Sequence, residues 1–283
     1  MDPAEQKLRD QDIDVFGMTD VGKVRKRNED QYLICSLHKQ MRVHGTSLPN
    51  VEQLPLSGGT IAFLALVADG VGGHAGGDEA SRLATESIAR YITHSMQCYY
   101  ARDPHEDDFL DQLHDTVMQC HADLLGESEK NPERGGMATT LTLLLGMWPR
   151  AYIVQVGDSR CYQLRGNRLS QITKDQTLAQ DLIDEGALTE SKAGAWSHVL
   201  SSAVGGSEAK PVIYKLQMQF DDVILLCSDG LNEHVTDDEI RNELIDLQSS
   251  EQVCRSLVSQ ALSRGGRDNV TAVVGRAKSR PTP

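Results

Sequence analysis

Residues 138–172 read ATTLTLLLGMWPRAYIVQVGDSRCYQLRGNRLSQI. Four β-type runs, at 138–147, 150–157, 160–165 and 168–172, are separated only by Trp148-Pro149-Arg150, Gly157-Asp158 and Arg165-Gly166-Asn167. Connections this short leave no room for a crossover helix, so neighbouring strands must run antiparallel.

The same reading extends in both directions. Residues 60–68 (TIAFLALVA) predict a fully buried strand ending at Asp69-Gly70. Two amphipathic helices fill the interval up to 138. The first places Ala80, Ala84, Ile88, Tyr91 and Ile92 on one face, the second Leu110, Leu113, Val117, Cys120 and Leu124. Near the start, residues 12–20 alternate, with Ile13, Val15 and Gly17 opposed to Asp12 and Asp14, which predicts a half-buried strand. Asp30–Ser36 predicts another. Residues 37–59 carry prolines and glycines without a period and predict a long loop, of a length that in a compact domain is functional or disordered. Downstream come helix and loop at 175–194, strands at 212–220 and 222–228, helices at 236–247 and 249–264, and a last strand at 269–276. Runs of strands broken by paired helices predict an α+β fold with antiparallel sheets, not a doubly wound parallel one. One domain is expected over 1–283, with flexible tails at 1–11 and 277–283.

Lys plus Arg number 28 against 41 Asp plus Glu, a formal net charge of −13. That balance excludes the basic face of a nucleic-acid binder and the polybasic patch of a membrane-surface protein. The longest apolar run, Ile61–Ala68, is far short of the ~20 residues that span a bilayer. The start is charged and lacks a leader's apolar stretch, so a cytoplasmic location is expected. The six cysteines form no Cys-x-x-Cys pair and read as small buried hydrophobes in a reducing compartment.

Acidic residues recur where apolar segments end: Glu29-Asp30, Asp69, Asp158, Asp229 and Asp268. Singly, each is an ordinary turn residue. Converging on one crevice, they repel one another unless a cation neutralises them, and an oxygen-only set suits Mg²⁺ or Mn²⁺. Glycines in Asp69-Gly70-Val71-Gly72-Gly73-His74 let a backbone carbonyl approach an ion. His74 reads as a loop histidine or, beside such a cluster, a proton donor. Residues 22–30, GKVRKRNED, read either as a solvated basic hairpin or as a segment whose arginine grips a phosphate.

Together the segments TDVGKVRKRNED, VADGVGGHAGG, GGMATTLTLLL, VQVGDSRCYQL, LLCSDGLNEHV and GGRDNVTAVV resemble the metal-dependent protein serine/threonine phosphatases of the PPM (type 2C) family, in its bacterial form. The resemblance runs from residue 12 to 276. It implies a four-layer αββα sandwich. It also implies that Asp69 bridges two ions, that the Gly70 carbonyl binds one of them, and that Asp229 and Asp268 bind the other. Asp30, with Glu29, would hold metal-bound waters. Arg25 would take the substrate phosphate, and Asp158 with Asp229 would form a weaker third site. The implied cofactors are Mn²⁺ or Mg²⁺, and the implied reaction is hydrolysis of phosphoserine and phosphothreonine by a two-metal-activated water.

Many eukaryotic relatives place a histidine two residues after the bridging aspartate. Here that position is Val71, which leaves His74 as the nearest candidate acid. The flap, 174–210, opens with Asp175-Gln176-Thr177 and later reads Trp196-Ser197-His198, where bacterial relatives often carry Asp-His-Ser and His-Pro-x-x-Asn. The implied partners are phosphoprotein substrates and a cognate bacterial Ser/Thr kinase, with no nucleic acid and no membrane, and the chain is expected to act as a monomer. Two alternatives stand beside this reading. A phosphatase-fold interaction module without activity is disfavoured by the complete set of aspartates. Another two-metal hydrolase, such as a nuclease, is disfavoured by the negative charge.

Overall fold

The computed structural model describes residues 8–40, 42, 43, 50, 57–71, 76–102, 106–131, 135–189, 192, 194 and 196–279. The strands are β1 (Ile13–Asp20), β2 (Asp30–Gln40), β3 (Ser57–Val71), β4 (Ala138–Thr139), β5 (Leu141–Met147), β6 (Arg150–Val156), β7 (Arg160–Arg165), β8 (Arg168–Gln171), β9 (Val212–Gln217), β10 (Val223–Cys227) and β11 (Val270–Ala277). The helices are α1 (Gly77–Arg102), α2 (Glu106–Lys130), α3 (Leu178–Asp184), α4 (Asp229–Asn232), α5 (Asp237–Ile245) and α6 (Ser250–Ser263). One sheet has the order β1-β11-β10-β7-β8. The other has the order β2-β3-β5-β6-β9, with β4 paired to β3. Every ladder is antiparallel, as the short connections require.

Strand side chains alternate between faces, and here both faces of both sheets are buried. On β3, Leu64, Leu66 and Ala68 pack under α1 and α2 with Ile88, Val117 and Leu124. The intervening Ala65 and Val67 meet Ile224, Leu226 and Val273 of the other sheet. That second sheet turns Leu225, Cys227, Ala272 and Val274 towards Val253, Leu257 and Val258 of α6. The layers are therefore helices, sheet, sheet, helices, in agreement with the αββα expectation.

Several boundaries differ from the expectation. Residues 37–40 and 57–59 belong to β2 and β3. Pairing continues past Leu37 through register shifts at His38 and Gln40 that no apolar pattern signals. Apart from 42, 43 and 50, the rest of the predicted loop lies outside the described residues. β3 also does not stop before Asp69-Gly70; it carries both in its ladder to Val71. At the start, Asp10–Asp12 form a 3-10 turn, and at the end Ala277 pairs with Ile13; 1–7 and 280–283 lie outside the described residues. On α2, Phe109 is buried and stacks edge-on against Tyr152 (4.9 Å), while the expected Leu110 is half-buried. The single turn α4 was too short for any periodicity to reveal.

Candidate metal centre

The side-chain alternation that builds the core also builds the site. On the inter-sheet face of β3, Ala65 and Val67 are followed by Asp69; on β2, Ile34 and Tyr32 lead back to Asp30. Asp30 and Asp69 stand directly opposite in the ladder, so their carboxylates share one face. In the second sheet, Leu226 is followed by Ser228, and Val273 is preceded by Thr271. One end of the apolar inter-sheet layer is thus capped by polar groups from both sheets.

Asp30 is 1% exposed. Its Oδ2 accepts from Ser228 Oγ (2.7 Å) and Thr271 Oγ1 (2.6 Å), and its Oδ1 is buried without a hydrogen-bond partner. Burial, aided by the Asp268 charge and opposed by the two hydroxyls, pushes Asp30 up to about 6. Asp69 and Asp229 are also raised well above the ordinary carboxylate range. Burial is the first cause for each, and next come the charges of Asp30 on Asp69 and of Asp158 on Asp229. Asp158, in the turn between β6 and β7, is 9% exposed, and burial followed by the Asp175 charge pushes it up to about 7. The structure thus gathers Asp30, Asp69, Asp158, Asp229 and Asp268 within mutual electrostatic reach.

The backbone around these acids is closely set. The Gly70 N–H donates to the Glu29 carbonyl (3.1 Å), and a Cβ on Gly70 would collide with the Gly77 carbonyl. Thr139 Oγ1 donates to the Asp69 carbonyl (2.9 Å), and the Asp69 N–H donates to Thr140 Oγ1 (3.0 Å). Asn269 ties down the basic segment: its Oδ1 accepts from the Glu29 N–H (2.8 Å), and its Nδ2 donates to the carbonyls of Val21 and Arg27 (2.9 Å each). Gly22, at φ 77°, lets that segment pass against the Asp268 carbonyl, where any Cβ would collide.

Arg25 lies at the acidic cluster, and its Nη2 donates to Asp268 Oδ2 at 2.6 Å. Arg27 turns away to Asp78 at the start of α1, 3.6 Å distant. Glu29 is half-buried between the two groups and feels Arg25, Asp78 and Asp268. His74 lies outside the described residues, as do 72, 73 and 75.

The flap is anchored from the sheet. Arg160, the first residue of β7, donates from Nε to Asp175 Oδ1 (2.9 Å), from Nη2 to Asp175 Oδ2 (2.7 Å) and from Nη1 to Tyr162 Oη (2.9 Å). The Gly157 N–H donates to Gln176 Oε1 (2.9 Å), and Thr177 caps α3. Further along the flap, His198 lies at the end of α4, its Nδ1 3.1 Å from Glu233 Oε1. His198, Asp229 and Glu233 each offer a ligand atom, all within 4.8 Å of one another. Sequence reasoning missed His198 and Glu233. The spacing of Glu233 from Asp229, one helical turn, was a usable signal; the position of His198 has no local one.

Carboxylates that converge beside Arg25, and a buried carboxylate oxygen that no donor satisfies, fit a hard divalent cation held by oxygen ligands.

The chain matches the family model described as Protein phosphatase 2C over residues 56–270. It is 36% identical to the serine/threonine protein phosphatase PstP of Mycobacterium tuberculosis over 215 residues, 75% of this chain but 40% of that protein's length. It is 29% identical to the serine/threonine phosphatase stp of Listeria monocytogenes over 262 residues, covering 90% of this chain and 92% of that one. Among solved structures, the catalytic domain of PstP in complex with two manganese ions superposes with a TM-score of 0.72 at 32% identity, covering 94% of this chain and 99% of that one. With the layers, the acidic cluster and these likenesses in agreement, the chain belongs to the protein phosphatase 2C family.

Proposed function

We propose that this chain is a metal-dependent protein serine/threonine phosphatase that hydrolyses phosphoserine and phosphothreonine in proteins and opposes a Ser/Thr kinase. The observation that carries the reading is the convergence of Asp30, Asp69, Asp158, Asp229 and Asp268 at one end of the inter-sheet layer. The two manganese ions bound by the PstP catalytic domain support the same cofactor here. Asp69, the Gly70 carbonyl, Asp229 and Asp268 hold two Mn²⁺ or Mg²⁺ ions, and Asp30 and Glu29 orient water around them. Asp158, with Asp229, serves a weaker third ion. Bound there, divalent ions supply Lewis acidity and a water of lowered pKa. Arg25 exchanges its Asp268 oxygen for the phosphoryl oxygens of the substrate, which its planar fork fits. Because Asp175 is fixed through Arg160, the flap meets the substrate from a rigid base.

The test is hydrolysis of a phosphothreonine peptide with Mn²⁺, with Mg²⁺ and after exhaustive EDTA. Phosphate release with either ion and none after chelation is expected. Undiminished turnover in EDTA, or a metal-loaded chain that releases no phosphate, overturns the reading.

A further inference from the structure

The segment between β1 and β2 is an arc closed on one side chain. Asn269 Nδ2 donates to the carbonyls of Val21 and Arg27, so both feet of the arc stand on the residue that follows Asp268. The Lys23 N–H donates to the Gly266 carbonyl (2.7 Å), which lays the arc beside the loop that carries Arg267. Lys23, Arg25, Lys26 and Arg267 are all exposed. Arg25 reaches from the arc to Asp268. Cations therefore stand along the rim beside Asp268, on a chain whose net charge is −13.

Ordinary compensation of the clustered acids accounts for Arg25 and Arg27, which pair with Asp268 and Asp78. It does not account for Lys23, Lys26 and Arg267. Among the described residues, none of these three side chains forms an ion pair or a hydrogen bond. Many exposed cations elsewhere have a carboxylate: Arg82 has Glu79 and Glu86, Arg255 has Glu251, Arg264 has Glu239 and Lys174 has Asp184. Unpaired cations on a surface loop raise the local potential and draw in groups of opposite charge.

We propose that Lys23, Lys26 and Arg267 form a cationic rim that selects phosphoproteins with aspartate or glutamate close to the phosphorylated serine or threonine. With the phosphate at Arg25, an extended peptide advances about 3.4 Å per residue, so acids within about three positions come over the arc. The proposal rests on the phosphatase reading of the acidic centre and names the class of substrate it takes.

The experiment uses the full chain at saturating Mn²⁺ and three phosphothreonine peptides of equal length, flanked by Asp and Glu, by Gln and Ser, or by Lys. At low salt the acidic peptide is expected to exceed the basic one in kcat/KM by about tenfold or more, through KM, with the gap narrowing as salt is raised. p-Nitrophenyl phosphate has no flanking residues and reports the centre alone. In the triple variant Lys23→Glu, Lys26→Glu, Arg267→Glu, the peptide order should invert while aryl phosphate turnover holds within about twofold. The bonds of Lys23 to Gly266 and of the Arg267 N–H to His234 Nε2 (3.2 Å) use backbone donors, so these substitutions keep them. Lys26→Gln alone should lower kcat/KM for the acidic peptide about threefold and leave the neutral one unchanged, which decides the matter if the triple variant does not fold. Equal kcat/KM for acidic and basic peptides in the wild type overturns the proposal. So does an order that persists in the triple variant, or a Lys26→Gln that slows all three peptides alike. No hydrolysis of any substrate, aryl phosphate included, counts against the phosphatase reading. Hydrolysis of all the peptides without a charge order counts against the rim alone.

Discussion

Arg25 and Arg27 are separated by one residue and reach opposite groups, Asp268 and Asp78. Arg25→Ala is therefore expected to raise KM for a phosphopeptide about tenfold or more, with little change in Mn²⁺ affinity, and Arg27→Ala to leave KM within about twofold. Steady-state kinetics on both variants checks this, and the reverse order would reassign the phosphate contact. The raised acids make a second expectation. Asp30 at about 6 and Asp158 at about 7 sit above the carboxylate value of an unfolded chain, and Asp69 and Asp229 are raised too. Protonation is thus favoured by folding, and its stabilising effect is lost as pH rises through the folded values. The metal-free chain should melt at lower temperature near pH 8 than near about pH 5. With saturating Mn²⁺ the order should reverse, because protons compete with the ion for the same oxygens. Calorimetric melts at both pH values, with and without Mn²⁺, decide it. At this scale the aspartates were legible from sequence because each ends an apolar run. His198 was not, since nothing local to Trp196-Ser197-His198 records that α4 lies against it.

Among the elements, the flap depends on the β6–β7 turn. Arg160 spans Asp175 with two parallel hydrogen bonds and also reaches Tyr162, whose hydroxyl donates to Asp237 at the start of α5 (3.0 Å). A lysine keeps the charge but not the fork. Arg160→Lys should speed amide exchange over residues 176–184 by about tenfold or more while leaving β10 and β11 protected. Equal loosening of the sheets would show that Arg160 supports the core and not the flap. Periodicity placed the buried faces of α1 and α2 and located α5 and α6 within a few residues, because each buries one stripe against a sheet. It misjudged β2 and β3, which run on past the expected ends, since a pairing extended through bulges leaves its outer residues exposed and without an apolar signature.

For the molecule as a whole, the centre draws on both sheets: Asp30 and Asp69 come from β2 and β3, Asp229 follows β10 and Asp268 precedes β11. Ions held there cross-link the two layers. Mn²⁺ should raise the melting temperature and slow exchange at the ends of β2, β3, β10 and β11 together, by an amount that grows with ion concentration. Protection confined to one sheet would place the ions elsewhere. The sequence by itself determined the antiparallel pairing, through connections too short for a crossover, and the helix faces, through their period. It also determined the kind of chemistry, through acids without enough cations beside them. Only the tertiary structure decided which groups meet. Asp30 opposite Asp69, Arg25 on Asp268 and His198 on Glu233 are contacts across sheet, loop and flap. Their partners are fixed by how the two sheets stack and where the flap is tied, and a pattern read along one chain contains neither.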